Sequence, residues 1–187
     1  EKRPPLLSLI IAFRPSGVDQ VFWGRLILFI FSIGSFLIFK LISKMLVKDD
    51  KYVNISLLLF TLNPVYQYWS LRIMADIPFT FFCMSALYMW ILWKAEISLG
   101  RSALLGAVCG LAVLTRFEGY LLFASLGLGF VVDDLENLKN LKDFFARFFV
   151  RLRKRISYIA SYVFSFCLII LPYVAYRNPL TSRYFGE

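Results

Sequence analysis

The sequence predicts an all-α fold, a polytopic integral membrane bundle of about six transmembrane helices, some of them short, with interfacial helices beside them. Three observations carry that expectation. Of 187 residues, 59% are hydrophobic and 18% aromatic, and the mean hydropathy is +0.69, well outside the range of a soluble domain. The apolar residues come in runs close to the roughly 20 residues that a helical crossing needs. The charged residues collect at the ends of those runs, and ends that should share a side of the membrane carry the same kind of residue. A net charge of +9 would suit nucleic acid, but the basic residues alternate with apolar spans and form no continuous polar surface. The charge therefore reports topology, and no nucleic acid partner is expected.

The chain opens on Glu1 without a Met or a signal segment, and it reads as a piece of a longer protein. Pro5 to Phe13 is apolar but too short to cross, which predicts an interfacial or re-entrant helix. The first span is Val21 to about Lys40. The second, about Tyr52 to Ser70, contains Asn63-Pro64, where proline removes a backbone donor and should kink or break the helix. It continues into Tyr66, Gln67, Tyr68 and Trp69, an interfacial aromatic group. A third span runs from about Ile77 to Trp93. Two shorter pieces follow, Ser102 to Thr115 and Tyr120 to Val132, split by Arg116-Phe117-Glu118-Gly119. Each is short for an upright crossing and predicts a tight hairpin in a thinned or protein-lined region. The last span is Ile156 to Tyr176. Ahead of it, Leu135, Leu138, Leu141, Phe145, Phe148, Phe149 and Leu152 lie at helical spacing between charges. That pattern makes 133–155 a cytoplasmic amphipathic linker helix within a single membrane-embedded domain over 1–187.

Orientation follows from the loops, because Lys and Arg stay on the cytoplasmic side. Lys40, Lys44, Lys48 and Lys51 follow the first span, Lys94 and Arg101 the third, and a basic run from Arg147 to Arg155 precedes the last. With six crossings, both termini, the Arg72/Asp76 segment and the Arg116/Glu118 turn fall together on the outer face of the cytoplasmic membrane. Ionisable groups near a bilayer's hydrocarbon are costly, so this collection marks a candidate site for a charged substrate. Arg72 and Asp76 are four apart and would pair if their segment were helical. Arg116 and Glu118 flank a turn, with Gly119 giving it freedom. In Glu1-Lys2-Arg3-Pro4-Pro5-Leu6, two cations stand beside a rigid diproline at headgroup depth, where they could neutralise a lipid phosphate. Arg25 reads as a cation snorkelling to the outer interface.

Other features read as structural. Cys83, Cys109 and Cys167 lie inside apolar runs, with no CxxC and no His, so they are packing residues rather than disulfide or zinc ligands. Gly106 and Gly110 form a GxxxG suited to close helix packing within the chain. Asn54-Ile55-Ser56 matches a glycosylation sequon but falls at an expected cytoplasmic end.

Taken in order, Glu1-Lys2-Arg3-Pro4-Pro5-Leu6, then Asn63-Pro64 with Arg72-x-x-x-Asp76-x-Pro78, then Gly110 to Gly119 with Thr115-Arg116-Phe117-Glu118-Gly119, resemble the polytopic GT-C glycosyltransferases. The chain is most similar to the branch that holds protein O-mannosyltransferases and the aminoarabinose transferases of lipid A. The resemblance implies an enzyme that moves a sugar from a polyprenyl-phosphate carrier to a protein, lipid or glycan acceptor on the outer face, with membrane lipids around it. It implies that Lys2 or Arg3 meets the donor phosphate and that Asp76 sits beside the catalytic cavity in a supporting role. Arg72, Arg116 and Glu118 become substrate contacts, and Glu1 falls where an acid often stands near a divalent metal ion. It further implies that the first transmembrane helix and the loop carrying the principal base would precede Glu1, leaving the piece by itself inactive. Arg3 stands where Lys-Pro-Pro is commoner, so the choice between Lys2 and Arg3 stays open. The alternatives are a transporter or channel fragment, against which the charges sit at one face rather than the midplane, and a non-catalytic membrane subunit.

Overall fold

The computed structural model describes residues 4–132 and 141–177. Eight helices follow in order among them: α1 (Leu6–Ala12), α2 (Gln20–Leu46), α3 (Asp50–Leu62), α4 (Pro64–Ser70), α5 (Asp76–Trp93), α6 (Leu99–Thr115), α7 (Gly119–Val132) and α8 (Leu141–Arg177). Glu1, Lys2, Arg3 and residues 133–140 of the expected linker lie outside the described residues.

Short polar side chains start several of these helices by accepting backbone N–H groups that have no partner in the first turn. Asp19 accepts from Phe22 at 2.9 Å ahead of α2, Asp49 from Lys51 at 2.9 Å ahead of α3, and Ser98 from Arg101 at 3.3 Å ahead of α6. At Asn63-Pro64 the second span breaks into two helices. Asn63 Oδ1 caps Val65 at 2.9 Å and Tyr66 at 3.2 Å, and Pro64 opens α4 at the position where its missing N–H costs nothing. α8 is 37 residues long, so it joins the expected amphipathic stretch from Leu141 onward to the last span without a break. Between Leu141 and Leu171 the sequence has neither Gly nor Pro, and nothing stops the helix.

The packing fixes the direction of each pass. Gly24 backs onto Ile73 and Gly34 onto Phe81, so α2 and α5 run parallel. Phe39 stacks on Phe60 with 4.6 Å between centroids, and the Tyr66 hydroxyl donates to the Ser32 carbonyl at 3.3 Å, so α3 and α4 return alongside α2. Trp90 meets Phe130 at 5.0 Å, which sets α7 parallel to α5. Arg155 Nη1 reaches the Phe130 carbonyl at 3.1 Å, while Tyr120 lies 6.1 Å from Phe166, so α8 runs back up along α7. The chain thus makes six alternating passes: α2, α3 with α4, α5, α6, α7 and α8. Among the described residues, three segments are long and apolar enough to cross a membrane, Gln20–Leu46, Asp76–Trp93 and Arg155–Ala175, with Leu99–Thr115 and Gly119–Val131 as shorter apolar helices.

The core explains how the short passes are tolerated. α6 buries Ser102, Leu105, Gly106, Val108, Cys109, Gly110 and every residue from Ala112 to Thr115, so protein rather than lipid surrounds much of it. A Cβ on Gly106 would run into the Tyr162 carbonyl oxygen, and one on Gly110 would lie 2.9 Å from Ile169 Cβ. The GxxxG pair therefore packs α6 against α8 inside the chain. The buried Tyr162 hydroxyl donates to the Phe123 carbonyl at 2.9 Å, and its ring stacks on Phe123 at 4.8 Å. Cys109 is fully buried in this cluster, as a packing residue would be. The outside is apolar as well: Phe29, Leu59, Phe164, Leu168 and Leu171 are each more than 60% exposed, which suits a surface solvated by lipid.

Candidate functional site

The alternating passes carry the two kinds of charged turn to opposite ends of the bundle. One end holds Lys44, Lys48, Lys51, Lys94 and Arg101, around the α2–α3 and α5–α6 turns. The other holds the turn from 71 to 75, the first residue of α5, the α6–α7 turn and α1.

Two helix ends 40 residues apart meet there. Asp76 opens α5, and Arg116 leaves α6 with its backbone turned to an extended conformation. The guanidinium of Arg116 then spans two carboxylates. Its Nη1 donates to Asp76 Oδ1, its Nη2 to Glu118 Oε1 at 2.6 Å and its Nε to Glu118 Oε2 at 3.3 Å. The Glu118 contact is a two-point fork that fixes the plane of the guanidinium, and Asp76 takes the remaining edge. Side-chain exposure is 25% for Asp76, 37% for Arg116 and 52% for Glu118, so the cluster is half-buried and still reachable. Hydrogen bonds from Arg116 hold the Glu118 carboxyl below its usual range. The same bonds with Glu118 raise the Arg116 guanidinium, against a smaller opposing effect of burial.

Gly119 makes the turn possible. A Cβ there would lie 2.6 Å from the Val113 backbone nitrogen and 2.8 Å from the Ala112 carbonyl carbon. Only a residue without a side chain lets the start of α7 fold this closely against the end of α6.

The cluster forms a shared wall between two hollows. The first, about 620 Å³, is lined on one side by Pro4, Leu7, Ser8 and Ile11 of the α1 region, and on the other by Trp69, residues 73–76 and residues 115–118. The second, about 410 Å³, lies toward α4 and adds Asn63, Val65, Tyr66, Phe79 and Thr80 to the same three charged residues. Asn63, Tyr66, Trp69 and Thr80 therefore join the site, although the sequence presents Asn63 as part of a helix break, Tyr66 and Trp69 as an interfacial aromatic group and Thr80 as one residue of a span. The signal available for them was the Asn63-Pro64 break, which turns α4 inward over the charged end.

The expected pair between Arg72 and Asp76 does not form. α4 stops at Ser70, and the backbone turns through Arg72, whose N–H donates to the Trp69 carbonyl at 3.3 Å. Positions 72 and 76 therefore share no helical face, and the Arg72 guanidinium lies instead over the Tyr68 ring, 4.2 Å from its centroid. Arg72 lines neither hollow. Asp76, Arg116 and Glu118 are brought together. Glu1, Lys2 and Arg3 lie outside the described residues, next to Pro4 in the chain.

Glu1, the acid expected near a metal ion, lies outside the described residues. Among the described residues no three His, Cys, Asp or Glu side chains converge, and the two carboxylates of the cluster already share a guanidinium. With one cation between two carboxylates, the described cluster carries one net negative charge. Its carboxylate oxygens can accept hydrogen bonds from hydroxyl groups, and an anionic substrate would need further cations beside it.

A family model described as dolichyl-phosphate-mannose-protein mannosyltransferase matches residues 6–182 of the chain. No curated relative and no solved structure matches it.

Proposed function

Because this chain belongs to the dolichyl-phosphate-mannose-protein mannosyltransferase family, we propose that its charged end is where a sugar passes from a polyprenyl-phosphate carrier to a protein, lipid or glycan acceptor. At the level of the family it is a glycosyltransferase of the GT-C type, and the family uses a polyprenyl-phosphate-linked sugar as donor. Membership in the family also sets aside the transport reading. The observation that carries the proposal is the cluster of Asp76, Arg116 and Glu118 between two hollows at one end of an otherwise apolar bundle.

In the proposed reaction the acceptor hydroxyl oxygen attacks the anomeric carbon while the bond from that carbon to the phosphate oxygen breaks. The polyprenyl phosphate leaves with the electron pair, and the hydroxyl proton passes to a carboxylate base. Asp76 holds an acceptor or sugar hydroxyl beside the reacting centre in a supporting role, the principal base being a separate carboxylate. Arg116 fixes Asp76 and, with the N–H groups that its two carboxylates leave over, offers a secondary contact to sugar or phosphate. Glu118 anchors Arg116.

The leaving phosphate needs positive charge, and the described cluster is net negative. Lys2 and Arg3, two and one residues ahead of Pro4 in the hollow's wall, supply it in this reading. The basic turns at the far end of the bundle support an arrangement with the site on the outer face of the cytoplasmic membrane. The test is sugar transfer by the intact enzyme from a mannosyl-phosphoryl polyprenol. Lys2→Ala combined with Arg3→Ala is expected to lower the rate by about a hundredfold or more, the usual cost of removing a group that stabilises developing charge. Near-normal transfer by that variant would overturn the assignment.

A further inference from the structure

A third hollow, about 630 Å³, lies between α2, the end of α3 and α4. Asp76, Arg116 and Glu118 take no part in its walls. It owes its shape to the Asn63-Pro64 break, which swings α4 along the flank of α2 rather than letting α3 continue straight.

The trough has a cation at one end and is mostly apolar along the rest. Arg25, Phe29, Ile33 and Phe36 follow one another at helical spacing on one face of α2. A rise of 1.5 Å per residue puts about 16 Å between the first and the last of them. Ser70 of α4 lines the trough too, and because α4 runs back along α2 it falls toward the Arg25 end, while Phe60 falls toward Phe36 and Gln67 donates its amide to the Thr61 carbonyl at 2.9 Å. Arg25 is exposed and has neither an ion pair nor a hydrogen bond among the described residues. Ser32, midway along, has a hydroxyl that finds no partner among them. A guanidinium one turn inside a membrane span snorkels to the interface, which brings it to the depth of lipid phosphates.

We infer that this trough is a binding site for an anionic glycerophospholipid of the surrounding bilayer, its phosphate on Arg25 and one acyl chain along Phe29, Ile33, Phe36 and Phe60. A single cation at the head of an apolar channel matches a molecule with one phosphate and a long chain. The polyprenyl-phosphate donor is a different case, since its phosphate belongs with the charged cluster at the other hollows. Assigning polyprenyl phosphate to the other hollows rests on the proposed function, while the anionic lipid on Arg25 rests on the trough itself.

The experiment is native mass spectrometry of the intact, delipidated protein titrated with phosphatidylglycerol, phosphatidylcholine and, separately, polyprenyl phosphate. One tightly held phosphatidylglycerol per chain is expected, with phosphatidylcholine bound at least tenfold more weakly. Arg25→Gln should lower phosphatidylglycerol affinity about tenfold, as loss of one charge-assisted contact predicts. Ile33→Trp, which fills the trough and keeps Arg25, should remove the bound lipid as well, with thermal melting as the control for folding. Equal phosphatidylglycerol binding by wild type and Arg25→Gln would overturn the inference. So would phosphatidylcholine bound as tightly as phosphatidylglycerol, or displacement of phosphatidylglycerol from this site by polyprenyl phosphate.

Discussion

Both ends of the bundle are charged, yet only one of them is built. At the basic end the charges are neighbours in sequence and point to water: Arg101 and Glu96, five residues apart, stand 3.9 Å from each other with side chains 40% and 88% exposed. At the other end Arg116 crosses 40 residues of sequence to reach Asp76 while gripping Glu118, and all three are partly withdrawn from solvent between two hollows. A local, exposed pair contributes little and serves to set topology. A pair assembled from two helix ends needs the fold to hold it, and it constrains the fold in return. The comparison separates charge that marks a side of the membrane from charge that makes a site.

The two ends should therefore answer mutation differently. The largest effect on stability is expected at Gly119, where an added Cβ meets the backbone of Val113 and Ala112. Gly119→Ala should destabilise the protein by about 1–3 kcal/mol through overpacking, read as a fall in melting temperature, and should displace Arg116 and Glu118 with it. Next comes Arg116→Ala, which leaves two carboxylates facing each other. Its cost should fall between the values for surface and buried pairs, about 1–2 kcal/mol. Arg101→Ala at the basic end should stay within about 0.5 kcal/mol, and equal losses at the two ends would erase the distinction drawn here.

Gly100, near the start of α6, has nothing within 4 Å of an added Cβ. Gly100→Ala should raise stability by about 0.5 kcal/mol, by restricting the unfolded chain and favouring the helix, the opposite sign to Gly119→Ala. The smallest effect is that of pH on Glu118. Its carboxyl is held below the usual range by Arg116, so the stabilisation is complete above the unfolded value of about 4.3 and is lost as pH falls through the depressed folded value. Melting temperature measured from pH 6 down to pH 3 should show a slightly steeper fall for the wild type than for Glu118→Gln.

Much of the architecture was legible from local chemistry. The Asn63-Pro64 break and the Gly106/Gly110 pair each act through neighbours in the chain or through a single small-residue face, so the sequence displays them directly. The continuous α8 was less legible, because an amphipathic stretch and an apolar span look like two elements when the absence of a breaker between them goes unweighed. The site was legible in its members and not in its wiring. Asp76, Arg116 and Glu118 stand out as charges in an apolar sequence, but the spacing of Arg72 and Asp76 suggested the wrong partner, since that rule holds only within one helix and α4 ends at Ser70. A bond across 40 residues leaves no trace in spacing. It emerges only when α5 and α6 are packed side by side.

Sugar transfer sets acid against acid across the bundle: its rate from a mannosyl-phosphoryl polyprenol is measured for the intact enzyme carrying Asp76→Asn or Glu96→Gln. Asp76→Asn is expected to lose about a hundredfold, the cost of misplacing a reacting hydroxyl, with transfer unchanged in Glu96→Gln. Near-normal transfer by a folded Asp76→Asn enzyme, or an equal loss in both, would contradict the assignment of Asp76 to the site.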